Sequence, residues 1–391
     1  MKLRKPNILI MCTSPNLSTG YSIVGNHLWK GLSDEGFDTY YFGLNVFGFQ
    51  ENKWLLPVAV DEGGADILEE YIKTNNIDIL ITIIDNWQPK YNYIEKVIKQ
   101  TKIKWICHVT ANSTPIPYEL FNNIKGADLL IAPSNFVNKE IKRSGLMNVK
   151  TIYHGVDTHI FTPVKHKENK PFIFVSVGTN KHLQKNWGSL IRSFKKMCEI
   201  YNLEDVRLAC VSEPNSPEGF NFIEMIKKYG NDKVILVGIK RNIGMTSEQM
   251  TEIYQQSHCL VSASTGESFG LPLIEAMSCG IPVIAPEYTA TGELITESSA
   301  GFSVCKAYNL VIPLLVDSFL IDENDLIESM YLMYNLYNDK KEGIKSYDEM
   351  CKNGRLFAEK NDWKKIIPLW TESINEVFKP TLNYKIEELG V

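Results

Sequence analysis

Short apolar runs alternate with longer amphipathic segments along almost the whole chain. In the first half, the runs predict strands at 7–11, 38–44, 77–84, 104–109, 128–133 and 149–154. Apolar residues at helical spacing predict helices between them, most clearly at 21–36, 65–76 and 135–145. The second half shows the same alternation of strands and helices, with strands expected at 172–178, 206–212, 234–238, 259–264 and 282–286. This alternation is typical of α/β proteins in which helices cover both faces of a parallel sheet.

A charged segment, FTPVKHKENKPF, separates the two halves and predicts a linker at 165–169. With 391 residues, the chain is longer than one hydrophobic core usually supports. We therefore expect two doubly wound, Rossmann-like domains that face each other across a cleft. Ligands of such sheets bind beyond the carboxyl ends of the strands, so the loops that follow the strands are expected to line this cleft.

Composition narrows the classes of function. The formal net charge of −5 provides no long-range field for nucleic acid, so no nucleic-acid partner is expected. No apolar run approaches the ~20 residues that span a bilayer, and the apolar run near the start is better explained as a first strand than as a signal peptide. We therefore expect a cytoplasmic protein. Its eight cysteines are scattered without a CxxC pair, which argues against a disulfide framework and a structural zinc site.

The stretch ESFGLPLIEAMSCGIPVIAP, at 267–286, joins a predicted strand to a predicted helix that begins near Leu271. Pro272 suits the first turn of a helix and Gly280 suits its end. The backbone N–H groups of Phe269, Gly270 and Leu271 would then point into the cleft at the positive end of the helix dipole. This arrangement suits a phosphate, which Gly270 would allow to approach closely.

Two carboxylates, Glu267 and Glu275, flank the start of this helix with seven residues between them. A carboxylate beside a bound anion is costly unless it accepts hydrogen bonds from hydroxyls or amines. Ribose and sugar hydroxyls would supply those bonds, so the pair indicates a sugar nucleotide. The alternative is that Glu267 only interacts with the helix dipole and that Glu275 is a solvated helix residue.

This stretch, with the GELI that follows, resembles the E-x7-E signature of the retaining GT-B glycosyltransferases, the large family also described as group 1 glycosyl transferases. Three other segments resemble the family in the same order along the chain: STGYSIVGNHLWKGLSDEGF, IYHGVDTHIFTP and VGTNKHLQKNWGSLIRSF. The resemblance covers nearly the whole chain. It implies an acceptor-binding domain at 1–165, a nucleotide-sugar-binding domain at 166–358 and a C-terminal helix at 359–391 that crosses back onto the first domain.

For the donor side, the resemblance implies that Glu275 holds the ribose hydroxyls, Glu267 contacts the donor sugar and Lys185 neutralises the diphosphate. Many relatives carry an arginine where this chain has Thr179, so Lys181 is the substitute candidate for a second cation. The remaining donor-binding candidates are Ser268, Phe269, Gly270, Leu271, Gly178, Asn180, Ile239 and Lys240. The simpler interpretation of both lysines is that they are ordinary surface residues of a loop.

For the acceptor side, the resemblance implies that Gly20, Tyr21 and Asn112 line the cleft and that His108 contacts the donor sugar. Gly20 is expected in the loop after the first strand, where an ordinary turn glycine is the alternative. His108 ends a buried strand, where a hydrogen-bonded core histidine is the alternative. His154, in the HGVD segment, is expected to be structural.

The activity implied by the resemblance is transfer of a hexose, with retention, from a UDP- or GDP-linked sugar to a hydroxyl of a glycan, glycolipid or other acceptor. No cofactor is expected, and the lack of an Asp-x-Asp motif suggests that no metal is required. A catalytically silent glycan- or nucleotide-binding relative, a GT-B sugar-nucleotide epimerase and a phosphorylase remain alternatives. An oxidoreductase is disfavoured because no G-x-G-x-x-G follows a strand. The lysines Lys96, Lys99, Lys102 and Lys104 form a modest basic patch that suits weak contact with an anionic membrane or with an acidic acceptor, and the alternative is an ordinary solvated helix face.

Overall fold

The first half of the chain forms a six-stranded parallel sheet. The computed structural model describes residues 4–44, 63–85, 87–164, 171–181, 183–240, 243–312, 315–339 and 346–378, so the predicted linker at 165–169 lies outside the described residues. The strands of this sheet are β1 (Asn7–Thr13), β2 (Asp38–Leu44), β3 (Ile79–Ile83), β4 (Lys104–His108), β5 (Leu129–Ala132) and β6 (Val149–Thr151). Their order across the sheet is β2-β1-β3-β4-β5-β6.

A second six-stranded parallel sheet follows. Its strands are β7 (Phe172–Val177), β8 (Val206–Ser212), β9 (Val234–Gly238), β10 (Cys259–Val261), β11 (Val283–Pro286) and β12 (Gly301–Val304). Their order is β9-β8-β7-β10-β11-β12, which is also doubly wound: the strand order reverses beside β7, as it reverses beside β1 in the first sheet, but here two strands rather than one lie beyond the first strand. The predicted α/β fold with two Rossmann-like sheets is therefore confirmed.

Helices cover both sheets. The first half contains α1 (Gly20–Asp34), α2 (Leu68–Thr74), α3 (Ile94–Thr101) and α4 (Asn135–Arg143), with 3-10 helices at Pro89–Tyr91 and Tyr118–Ile124. The second half contains α5 (Trp187–Tyr201), α6 (Phe222–Tyr229), α7 (Ser247–Gln256), α8 (Leu271–Ser278), α9 (Thr289–Ser298), α10 (Glu323–Asp339), α11 (Tyr347–Lys360) and α12 (Trp363–Val377). Because both faces are covered, the strands read as continuous apolar runs, and Ile8 through Cys12 of β1 are fully buried.

The structure contains two features that the apolar pattern did not predict. One is the edge strand β12, which is only four residues long and begins with a glycine. The other is an antiparallel hairpin of β13 (Lys306–Ile312) and β14 (Val316–Ile321). This hairpin reaches the first half, where the backbones of Thr114 and Asp317 exchange hydrogen bonds of 3.1 Å in both directions.

The last helix, α12, packs against the first half of the chain rather than the second. A Cβ atom on Gly31 of α1 would lie 2.5 Å from the side chain of Ile367, so the two helices are in close contact. Trp363, at the start of α12, stacks on His27 with ring centroids 4.8 Å apart. Asp362 caps the helix through the Lys364 N–H at 2.8 Å. The C-terminal helix therefore completes the core of the first sheet.

This packing predicts that Trp370→Ala destabilises the protein strongly. The Trp370 side chain is 2% exposed in the core of the first sheet, and its removal is expected to lower the free energy of unfolding by about 3–5 kcal/mol. Leu369 is the matched control because it is the preceding residue on the same helix and is 43% exposed. Leu369→Ala is expected to cost less than about 0.5 kcal/mol. Urea denaturation followed by far-UV circular dichroism would measure both, and equal losses would contradict the packing described.

Candidate active site

The loop between β10 and α8 holds the centre of the candidate site. Gly270 precedes α8 with φ +105°, in a region that non-glycine residues rarely adopt. The Glu267 N–H donates to Thr289 Oγ1 at 3.1 Å, and the Glu267 carbonyl accepts from the Ala290 N–H at 3.2 Å. The Thr265 N–H donates to the Gln184 carbonyl at 2.8 Å. These bonds fix the loop against α9 and against the segment that carries Lys185.

Lys185 and Glu267 form an ion pair within this loop region. Lys185 Nζ lies 2.5 Å from Glu267 Oε1, and the side chains are 17% and 14% exposed. The Lys185 side chain lies over Gly178, where a Cβ atom would come within 2.8 Å of it. Gly178 therefore leaves the space that allows Lys185 to reach the start of α8.

Glu275 lies in the second turn of α8 and is almost completely buried, at 8% exposed. The Tyr254 hydroxyl of α7 donates to Glu275 Oε2 at 2.8 Å. Burial raises the pKa of the Glu275 carboxyl to about 7, although the hydrogen bond from Tyr254 lowers it. The alternative of a solvated Glu275 is therefore wrong, because the carboxyl is enclosed. Tyr254 is a partner that the sequence analysis did not single out.

Two candidate residues that follow Gly178 differ in burial: Asn180 lies inside the protein and Lys181 lies at its surface. Asn180 is buried, and its amide group donates to the Glu213 carbonyl at 3.1 Å and to the Phe220 carbonyl at 2.7 Å. Lys181 is exposed and pairs with Glu218 at 3.3 Å. The Asn180 side chain therefore holds two loops together, and only Lys185 of the two lysines reaches the loop before α8.

The segment predicted to meet the nucleotide base follows β9. The Ile239 N–H donates to the Ser212 carbonyl at 3.1 Å, and the Lys240 carbonyl accepts from the N–H groups of Ile243 and Gly244 at 3.2 and 2.9 Å. Ser18 of the first half donates its hydroxyl to the Ile243 carbonyl. This turn therefore touches the first half of the chain at the mouth of the cleft.

His108 lies inside the protein at the end of β4. Its Nε2 is 2.9 Å from His154 Nε2, and the His154 ring lies 4.9 Å from the Phe269 ring, measured between centroids. One imidazole must donate and the other accept, so at least one ring in this pair is neutral. Burial lowers the pKa of His108 to about 4 and that of His154 well below its usual 6.5. His108 thus contacts His154 of the HGVD segment, and its contact with a donor sugar stays a prediction.

The acceptor-side candidates meet the loop before α8. Gly20 is the first residue of α1, so the expectation that it lies in a loop is wrong; the side chain of Thr19 caps the helix by accepting from the Ser22 N–H. A Cβ atom on Gly20 would lie 3.7 Å from Leu271. A Cβ atom on Gly266 would lie 1.8 Å from the Asn112 carbonyl oxygen, so only glycine fits there. The two halves are therefore in contact around Glu267.

A contact that the sequence did not reveal joins α9 to the N-terminus of α4. The Glu293 carboxylate accepts from the N–H groups of Asn135 at 2.8 Å and Phe136 at 2.9 Å, and also from the Tyr153 hydroxyl. The Ser134 hydroxyl donates to the Ser268 carbonyl at 2.8 Å. A carboxylate at a helix N-terminus is favourable, so Glu293 and Ser134 hold the two halves together beside the site.

The described residues contain no group of three or more His, Cys, Asp or Glu side chains that could hold a metal ion. Within the same part of the chain, no helix combines the length and apolar character needed to cross a membrane. Of the four lysines in the predicted basic patch, Lys99 pairs with Glu95 and Lys104 pairs with Asp128, both at 2.7 Å. These pairs reduce the positive charge of the patch.

Comparison with known proteins gives matches in both sequence and fold. Residues 158–325 match the family described as glycosyl transferases group 1. The N-acetyl-alpha-D-glucosaminyl L-malate synthase of Bacillus anthracis is 23% identical over 321 residues, which are 72% of this chain and 80% of that protein. Among solved structures, the sucrose-phosphate synthase of Thermosynechococcus elongatus superposes with a TM-score of 0.72 at 17% identity, over 96% of this chain and 99% of that one.

The pneumococcal O-GlcNAc transferase GtfA, solved in complex with UDP and GlcNAc, has a TM-score of 0.70 at 13% identity, over 96% of this chain and 99% of that one. The two parallel sheets therefore have the GT-B arrangement of these solved structures. Sequence similarity to the group 1 glycosyl transferases therefore covers residues 158–325, the part of the chain that carries Lys185, Glu267 and Glu275.

The burial of Glu275 predicts a pH-dependent stability that Glu275→Gln abolishes. Because the folded pKa is raised to about 7 from the usual 4.5, the neutral carboxyl stabilises the fold at low pH, and this contribution is lost as pH rises through 7. Relative to Glu275→Gln, the wild-type free energy of unfolding should fall by up to about 3 kcal/mol between pH 5 and pH 8.

Glu372→Gln is the matched control, since Glu372 is exposed on α12. It is expected to follow the wild type at every pH in the same urea denaturation series. A stability difference between wild type and Glu275→Gln that stays constant from pH 5 to pH 8 would mean that burial does not raise the pKa of Glu275.

Proposed function

We propose that the protein is a retaining, metal-independent hexosyltransferase that uses a nucleotide diphosphate sugar. The observation that carries the proposal is the Lys185–Glu267 ion pair at the start of α8, with Glu275 buried in the same helix. A cation and a helix N-terminus suit a diphosphate, while two carboxylates suit the hydroxyls of ribose and sugar. All four groups belong to the second half of the chain: Lys185 lies just before α5, Glu267 lies in the loop before α8, and Glu275 lies in α8 itself.

In this proposal, the donor separates the ion pair. The Lys185 ammonium turns to the diphosphate, and the Glu267 carboxylate accepts hydrogen bonds from the sugar hydroxyls. Glu275 accepts from the ribose hydroxyls, which favours its ionised form because hydrogen bonds to a carboxylate stabilise the charge. The backbone at Phe269, Gly270 and Leu271 meets the phosphates with the positive end of the α8 dipole.

The reaction then needs no protein nucleophile. The bond between the anomeric carbon and the phosphate oxygen breaks, and the acceptor oxygen attacks the same face of the sugar. The departing phosphate takes the proton of the acceptor hydroxyl. Negative charge grows on the diphosphate in the transition state, where Lys185 and the start of α8 stabilise it more than in the ground state. Contact between the two halves excludes water and limits hydrolysis of the donor.

The first donors to test are UDP-N-acetylglucosamine and UDP-glucose. The Bacillus anthracis relative is named for N-acetylglucosaminyl transfer, and the pneumococcal structure holds UDP and GlcNAc. Release of UDP on incubation with these donors would support transfer or hydrolysis. A GDP-linked sugar, assayed in parallel for release of GDP, tests the alternative base. A protein that releases no nucleotide diphosphate from any of them would be a binding relative rather than an enzyme.

The proposal predicts that loss of Glu267 lowers turnover, whereas loss of Lys185 weakens the binding of UDP. Glu267→Gln is expected to lower turnover by about 10²-fold, equivalent to about 2.7 kcal/mol of transition-state stabilisation. Its affinity for UDP should stay near the wild-type value, because UDP lacks the sugar that Glu267 is proposed to contact. Lys185→Met is expected to weaken UDP binding by about tenfold or more. Calorimetry with UDP and steady-state rates would measure both.

Lys181→Met is the matched control, because Lys181 is exposed and pairs with Glu218 away from the loop before α8. It is expected to change UDP affinity by less than about twofold. If Lys181→Met weakens UDP binding as much as Lys185→Met, the assignment of Lys185 to the diphosphate is wrong. Full turnover by Glu267→Gln would make Glu267 a structural residue.

We also propose a weak peripheral membrane contact through the basic patch on and after α3. Lys96 and Lys102 are exposed and form no ion pair with any residue that the structure describes, whereas Lys99 and Lys104 are paired. The protein is therefore expected to float with anionic liposomes at low salt and to remain unbound at physiological salt, where the charges are screened. Failure to float at either salt would end this part of the proposal.

A further inference from the structure

Two strands of the first sheet and the start of α1 bring a set of polar side chains together. In the sheet, Cys12 of β1 pairs with Ile83 of β3, and Ile83 pairs with His108 of β4. Because the strands are parallel, the residues just after them lie at one edge of the sheet, the edge where doubly wound folds bind ligands. Asp85 follows β3 at this edge, and Thr110 follows β4.

Tyr21, the second residue of α1, links these two side chains. Its hydroxyl lies 2.5 Å from Asp85 Oδ1 and 2.9 Å from Thr110 Oγ1. Burial and the neighbouring Asp85 carboxylate raise the pKa of Tyr21 well above its usual value, so the phenol stays protonated and donates to Asp85. It therefore accepts from Thr110. Gln88 donates its amide to the other oxygen, Asp85 Oδ2, at 3.2 Å.

The Asp85 carboxylate is oriented by neutral partners only. Its partners are a phenol and an amide, and it makes no ion pair within the described part of the chain. A carboxylate has about four acceptor positions, so these two hydrogen bonds leave further lone pairs available. Asp85, Tyr21 and Thr110 are all partly exposed. The cluster therefore presents acceptor oxygens and a negative charge to solvent at the sheet edge.

Two contacts bring this cluster close to the loop before α8. Tyr21 directly follows Gly20, where a Cβ atom would lie 3.7 Å from Leu271. Thr110 is two residues before Asn112, whose carbonyl abuts Gly266, the residue before Glu267. A molecule bound at Asp85 therefore lies between the first sheet and the loop that carries Glu267.

We propose that Asp85, Tyr21 and Thr110 form an acceptor subsite that binds a hydroxyl group of an uncharged, sugar-like or polyol acceptor. The subsite rests on the proposed glycosyltransferase function and specifies its acceptor class. An acceptor hydroxyl donates to Asp85, whereas a phosphate or carboxylate at this position meets an unneutralised like charge. The subsite thus selects against anionic acceptors.

The test compares two probes that share a glucose ring, methyl α-D-glucopyranoside and glucose 6-phosphate. Saturation-transfer NMR on the UDP-loaded protein measures the binding of each. The wild type is expected to favour the uncharged probe by about fivefold or more, because juxtaposed like charges are costly. Asp85→Asn keeps the shape of the side chain and removes its charge, and should bring the two probes within about twofold of each other.

Asp38→Asn is the matched control, because Asp38 is exposed at the amino end of β2, at the opposite edge of the same sheet. It should keep the wild-type preference. Equal or stronger binding of glucose 6-phosphate by the wild type, no binding of methyl α-D-glucopyranoside, or a preference unchanged in Asp85→Asn would overturn the subsite.

A parallel assay of UDP release separates this result from the proposed function. Wild-type protein that releases UDP from a donor but prefers the anionic probe retains the proposed function and loses the subsite. Protein that shows the expected probe preference without releasing nucleotide from any donor retains the subsite as a binding site and loses the proposed activity.

Discussion

The contact between the loop before α8 and the strand ends of the first sheet is the interaction on which the rest of the structure depends. Gly266 meets the carbonyl of Asn112 so closely that a Cβ atom would overlap it. Ser268 accepts a hydrogen bond from Ser134 at 2.8 Å, and Leu271 lies against Gly20. These contacts bring the loop that carries Glu267 against the strand ends of the first sheet.

Several carboxylates lie near this contact, and each has its own set of partners. Glu267 is paired with a lysine, Glu275 accepts from a buried phenol, and Glu293 accepts from the N-terminus of α4. Asp85 has a phenol and an amide. These partners decide which carboxylate oxygens can still accept a hydrogen bond from a ligand. Glu293 is occupied in holding the two halves together, while Glu267 and Asp85 keep acceptor positions for a ligand.

Much of the fold was predictable because buried parallel strands are continuous apolar runs and the helices between them have a clear period. The strand β12 escaped prediction because it is short and starts with glycine. The hairpin of β13 and β14 was not predicted because its two strands are antiparallel and do not alternate with helices, and because it hydrogen-bonds to Thr114, which is distant in sequence. For the site, the spacing of Glu267 and Glu275 was informative, since a loop and the helix after it are local structure.

The sequence by itself determined two parallel sheets, the start of α8 and the two carboxylates beside it, because these follow from local periodicity and a short-range motif, whereas Lys185 was expected there only from the family resemblance. Only the tertiary structure decided the partners of those groups. The Tyr254 hydroxyl on Glu275, the capping of α4 by Glu293, the enclosure of His108 by His154 and the Tyr21 bond to Asp85 each join residues far apart in the chain. Hydrogen bonds of this kind depend on how elements pack, and no local pattern encodes them.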